Sequence, residues 1–232
     1  MKNLTTLLIS IVFLSCIEKK QNKPKVFVNE LIGQTTSLTQ SEIKKLDSLD
    51  IDFQFRGDCY AYSSEKNKIE SNGEAHSDNL PKSIDLTCPR QGLYLVINLK
   101  ELTNIDNSFL GCKLYLVNTS DSLIKLNASD SRLYIVAEAL NDKNEWTAVS
   151  YLPSSDCGNS YHTVILDKDE YWTFDIPIFK GTTKTKLRYT LTIDKDTKVI
   201  SNEIIAYLNK GQFEKENKEG HRSNNIMDPY KE

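Results

Sequence analysis

The sequence predicts a mainly β protein, an antiparallel sandwich with one short N-terminal helix. Three observations carry that reading. Apolar residues recur at every second position in four separate runs, polar turn clusters fall between the runs, and no helical pattern intervenes.

The helix comes first. Thr39-Gln40-Ser41-Glu42 matches a capping box, in which residues three apart satisfy each other's orphan backbone N–H groups. Ile43, Leu46 and Leu49 follow at helical spacing, so a helix is expected over 40–49. Asp52–Tyr62 (DFQFRGDCYAY) reads as extended, and 63–87 reads as a long polar loop in which His76 is solvated. From Gly92 the texture changes to strands. Leu93, Leu95, Ile97 and Leu99 alternate with polar or outward positions, as do Leu133, Ile135, Ala137 and Ala139. Trp172, Phe174, Ile176 and Ile178 form the third run, which assigns Trp172 to the core. In the fourth, Leu187, Tyr189, Leu191 and Ile193 alternate with Lys186, Arg188, Thr190 and Thr192. Turn signals lie at 118–122 (NTSDS), 127–131 (NASDS), 141–145 (NDKNE), 166–170 (LDKDE) and 193–197 (IDKDT). The expected organisation is therefore 1–15 leader, 16–27 polar tether, 28–91 N-terminal segment, 92–213 sandwich and 214–232 charged, disordered tail.

The first residues, MKNLTTLLISIVFLSCIEKK, combine one positive charge, a short apolar run and a small residue before Cys16. That run falls short of the roughly 20 apolar residues a spanning helix needs, and the pattern is that of a secretory signal peptide. Phe13-Leu14-Ser15-Cys16 resembles the lipobox of bacterial lipoproteins, with Phe13 in place of the usual Leu. The resemblance implies cleavage before Cys16, acylation of that cysteine (palmitate among the chains), and a lipid-anchored protein of the cell envelope, at the outer membrane. Residues 92–213 resemble the immunoglobulin-like or fibronectin-like sandwiches common in exported lipoproteins. CGNSYH (157–162) and YWTFDIPIFKGTTKTKLR (171–188) resemble uncharacterised exported proteins of Bacteroidota, and that likeness implies no activity. Asp47-Ser48-Leu49 and Asp121-Ser122-Leu123 also fit the short O-glycosylation acceptor of that group.

A net charge of −3 across 232 residues supplies no basic patch of the density that nucleic acid requires. With Cys16 lipidated, Cys59, Cys88, Cys112 and Cys157 remain, an even number that in an exported chain reads as two disulfides. Three pairings are possible, and nearest-neighbour Cys59–Cys88 with Cys112–Cys157 is the expected one. Cys157 and His162, with Asp156 and Asn159 close by, could be drawn as a thiol triad; an oxidising compartment favours a structural cystine instead. The three histidines lack a paired spacing and the cysteines lack a Cys-x-x-Cys, so no zinc site or other cofactor is expected. Asp167/Asp169 and Asp194/Asp196 read as hairpin turns rather than calcium loops. No Gly-x-Ser-x-Gly elbow is present. What remains is a candidate binding surface of Trp146, Tyr151 and Tyr161 beside His162. The expected function is a non-enzymatic, membrane-tethered binding module for an envelope protein or glycan. An inhibitor that caps an enzyme through the 63–87 loop is the alternative, and a hydrolase with dispersed carboxylates comes third.

Overall fold

In a computed structural model of the chain, the described residues are 38–67, 77–84, 92–153 and 160–214. The leader, Cys16, the tether, His76, Cys88, Cys157 and the tail from 215 lie outside them.

The capping box forms as read. Thr39 Oγ1 accepts from the Glu42 N–H at 3.3 Å, and Glu42 Oε2 accepts from the Thr39 N–H at 2.7 Å. The helix α1, however, covers only Gln40–Ile43 rather than 40–49. The backbone beyond it bonds to distant strands instead of to itself. Asp47 bridges Phe109, the Leu49 N–H donates to the Ile178 carbonyl at 2.8 Å, and the Lys180 N–H donates to the Leu49 carbonyl at 2.9 Å. Leu49 is fully buried by this route.

Fourteen strands follow among the described residues: β1 Phe55–Arg56, β2 Lys82–Ser83, β3 Leu93–Ile105, β4 Phe109–Asn118, β5 Ile124–Ser129, β6 Arg132–Leu133 and β7 Ile135–Leu140, then β8 Trp146–Ala148, β9 Ser150–Tyr151, β10 Tyr161–Leu166, β11 Glu170–Pro177, β12 Thr183–Thr192, β13 Lys198–Ile200 and β14 Ile204–Leu208. One sheet runs β2-β11-β4-β3 and a second β13-β12-β7-β8, with β14 also on β12. A three-stranded sheet runs β10-β5-β6, and β1 pairs with β9 in parallel. β2 is a departure from the expected loop at 63–87: Lys82 and Ser83 pair with Tyr171 and Glu170 at the edge of the first sheet.

All four alternating runs fall on strands, with Ile178 and Ile193 just past their ends, but Leu99, expected inward, lies at the irregularity of β3 between Asn98 and Leu102 and is exposed. Their inward residues form one core, with Leu95, Leu114, Leu116, Trp172 and Phe174 of the first sheet packed with Leu126, Val164, Ile135, Leu187 and Leu191 of the others. Two layers of mostly antiparallel strands closed over a shared apolar interior make a β-sandwich. The strand orders define that coarser class. Trp172 is fully buried, and its indole N–H donates to the Tyr62 carbonyl at 3.1 Å. The N-terminal segment belongs to the same core, since Leu49, Ile51, Phe55, Cys59 and Ala61 all pack into it.

Two hairpins turn on paired left-handed residues: Asp106-Asn107 (φ 50° and 58°) and Asp130-Ser131 (φ 49° and 63°). Asp130-Ser131 makes a two-residue hairpin between Ser129 and Arg132, which requires two consecutive positive φ angles. Asp106-Asn107 makes the same turn with Ser108 added before Phe109, and Asp and Asn tolerate such angles best.

The expected cystines are corrected at their described ends. Cys59 and Cys112 are both free thiols, exposing 4% and 1% of their surface. Both point into the core within electrostatic reach of the buried Tyr189 phenol. Burial pushes the Cys112 thiol up to about 12, and it raises Cys59 still further. Each side chain therefore packs as a small protonated hydrophobe.

Candidate functional site

The registered pairing of β5 with β10 places Tyr161 opposite Ser129, His162 opposite Ala128 and Thr163 opposite Asn127. Beside this pair rises the turn between β12 and β13. Its position is fixed where the Thr192 N–H donates to the Tyr134 carbonyl at 2.9 Å. Between them lies an open groove of about 540 Å³, lined by Tyr134, Tyr161, His162, Asn127, Thr163, Thr192, Asp194 and Lys195.

Each wall has a local cause. Alternation along β10 sends His162 inward and Tyr161 outward, and Tyr161 exposes 50% of its surface. Tyr134 is half-buried; burial raises its phenol above the ordinary tyrosine value, and the neighbouring Tyr161 adds to the rise. The phenol is therefore a protonated hydrogen-bonding group at neutral pH. Asp194 is held in place by its own turn. Its Oδ1 accepts the N–H groups of Asp196 and Thr197, each at 2.9 Å, and the Asp196 bond leads in lowering its carboxyl below the ordinary value. The groove thus presents two aromatic rings, a fixed carboxylate, an ammonium, an amide and two hydroxyls.

His162 is 8% exposed and acts as a structural lock behind the groove. Its Nδ1 lies 3.0 Å from the Ser160 carbonyl, which can only accept, so Nδ1 carries the proton. Its Nε2 lies 3.4 Å from Ser131 Oγ. Ser131 is fully buried in the left-handed turn, so the pair fastens the β5–β6 hairpin to β10. Cys157, its expected neighbour, lies outside the described residues.

The other two candidates stand elsewhere. Trp146 pairs with Leu140, and one face of its ring is covered by the Arg188 guanidinium, 4.0 Å from the centroid. Arg188 in turn donates from Nε and Nη2 to Glu138 Oε2, both at 2.8 Å. Tyr151 is half-buried on β9, paired with Arg56. Two of the four expected surface residues therefore meet in the groove, and Tyr134 joins them. Sequence reasoning missed Tyr134 because it follows the short strand β6 and reads as one polar position in an alternating run. Among the described residues, no group of three or more His, Cys, Asp or Glu side chains gathers as a metal site, and no helix is long and apolar enough to cross a membrane.

Compared with known proteins, the chain matches no family model, no curated protein and no solved structure. The fold and groove by themselves define an antiparallel β-sandwich with a tyrosine-lined cleft at one sheet edge.

Proposed function

We propose that the chain is an exported envelope lipoprotein, anchored through Cys16, whose sandwich is a non-enzymatic binding module for a glycan. The observation that carries this reading is the pairing of Tyr134 with the half-exposed Tyr161 in an open groove rimmed by Asn127, Thr163, Thr192, Asp194 and Lys195. Sugar rings offer apolar C–H faces to aromatic rings and hydroxyls to a polar rim, and this groove supplies both surfaces. Its open shape suits a chain that passes through rather than a small molecule enclosed.

Titration of the chain with soluble fragments of envelope polysaccharide, followed by calorimetry, tests the reading. Saturable binding that weakens at least about tenfold in Tyr161→Ala, with an unchanged melting temperature, supports it, because an exposed ring contributes to contact and little to stability. Saturable binding untouched by that substitution sinks it. The anchor is tested separately by lipid labelling in cells, which Cys16→Ala should abolish.

A further inference from the structure

The second unusual feature of the molecule is a pair of arginines that share too little negative charge. Arg132 exposes 5% of its surface, and the Arg56 side chain exposes 14%. Both guanidiniums donate to the same acceptor, the Tyr60 phenol oxygen, at 2.6 Å from Arg132 and 2.7 Å from Arg56. The Arg132 guanidinium also lies over the Tyr60 ring, 4.9 Å from its centroid. The backbone holds this arrangement on both sides. Tyr60 and Arg132 form an antiparallel bridge, the Leu133 N–H donates to the Cys59 carbonyl at 2.9 Å, and the Ala61 N–H donates to the Ser131 carbonyl at 2.8 Å.

Among the described residues, one carboxylate makes an ion pair with them. Asp58 Oδ1 lies 3.3 Å from Arg56 Nε, and its side chain is 43% exposed at the rim. The contact is close enough for an ion pair but too far off-line for a hydrogen bond, so Arg56 Nε is buried without a hydrogen-bond partner. Arg132 Nε is likewise buried and unpartnered. Among the described residues, the two cations have one carboxylate in ion-pair contact, with Asp106 acting on Asp58 from further off, so the contacts carry a surplus positive charge.

A buried lysine or histidine can escape such a surplus by losing its proton. A guanidinium cannot, so its charge persists, and beyond the Tyr60 oxygen and ring its fullest compensation is an anion. We propose that Arg56 and Arg132 form a binding site for a small oxyanion, a phosphate, sulfate or carboxylate group, reached from the rim at Asp58. The Arg132 Nε–H lacks a partner and the Arg56 Nε–H faces only the off-line Asp58 carboxylate; both belong to planar forks suited to two oxygens of one such group. The site is distinct from the groove, since Arg56, Tyr60 and Arg132 do not line it.

The test uses the full chain in detergent, titrated with sodium phosphate, sulfate or acetate against chloride at constant ionic strength. The readouts are the arginine Nε–H resonances and the melting temperature. The expected result is a saturable shift of the Arg56 and Arg132 signals with a rise in melting temperature. Response to acetate alone would identify a carboxylate, and response to phosphate or sulfate a tetrahedral group. Arg132→Met should lose the effect. Should that variant fail to fold, Arg56→Met at the rim should weaken binding about tenfold, the loss expected for one charge-assisted contact. Lys143→Met, on the exposed turn before β8, should change nothing. Absence of saturation in the wild type overturns the proposal, and so does equal weakening by Lys143→Met, which would mark general ionic attraction.

Discussion

Thiol accessibility gives the sharpest check on the core. Cys112 exposes 1% of its surface, and burial raises its thiol from the ordinary 9.0 to about 12. Only the thiolate attacks an alkylating reagent, so at pH 8 its reactive fraction falls from about 0.1 to about 10⁻⁴, roughly a thousandfold. Steric exclusion adds to this, and labelling should proceed only through global opening, which a domain of ordinary stability of about 5–15 kcal/mol visits rarely. The assay is iodoacetamide labelling at pH 8 without reductant, read by peptide mapping, in native buffer and in guanidinium chloride. Cys59 and Cys112 should stay unmodified in the first and react fully in the second. Rapid native labelling of either residue would refute the buried placement. Resistance of either in denaturant would refute the free thiols and restore a cystine.

Other consequences can be measured directly. An acid whose folded pKa is raised leaves stability intact below its unfolded value and erodes it above, because the unfolded chain then releases the proton first. For Cys112 that window runs from about pH 9 to about pH 12, at up to about 1.4 kcal/mol per pH unit. Urea midpoints should fall across it, less steeply in Cys112→Ala. Asn118 is fully buried, and the two hydrogens of its Nδ2 are shared among the carbonyls of Ser122, Leu166 and Asp167, which lie at 2.9, 3.1 and 3.0 Å. Asn118→Ala orphans these groups and should cost about 2–4 kcal/mol by denaturant titration, with unchanged strand content in circular dichroism. Gly211 donates its N–H to Asp52 Oδ1 at 2.6 Å, and a Cβ there would meet the Asp52 carbonyl oxygen at 2.0 Å. Gly211→Ala should therefore destabilise by about 1–3 kcal/mol, which a lowered melting temperature would reveal.

The strands of this fold were legible where one face meets the core and the other meets water. β12 shows how far that goes: Leu187, Tyr189 and Leu191 are buried as the alternation implies, yet Thr190 is also buried at 3% exposure. Its hydroxyl donates to Glu138 Oε2 at 2.8 Å on the neighbouring strand, a partner 52 positions away that no local pattern announces. The same limit shortened the helix. Capping chemistry is local and marked its start correctly, whereas its end is set by strands more than 60 residues downstream. Cysteine parity was the weakest guide, because it counts thiols without knowing that the fold turns two of them inward. In the groove, Tyr161 and His162 were legible from strand-end position. Tyr134 was not, because its contribution depends on how the β12–β13 turn leans toward β10.

The strap from Gln40 to Ala61 has a consequence for how the molecule comes into being. This stretch is made before every strand it touches. Gln54 Nε2 donates to the Ala148 carbonyl, 94 positions on, and Asp50 Oδ1 accepts from Asn209 Nδ2, 159 positions on. Its long-range bonds close in stages: Asp47 can pair once Phe109 is made, whereas Leu49 waits for Ile178 and Asp50 for Asn209, and contacts so distant in sequence slow folding. Within this early stretch, Asp50 and Asp52 wait longest for their partners, Asn209 and Gly211. A chain arrested before Ile178 should leave Leu49 and Phe55 exposed, open to proteases and to one another, since Ile178, Phe179 and Lys180 are then missing.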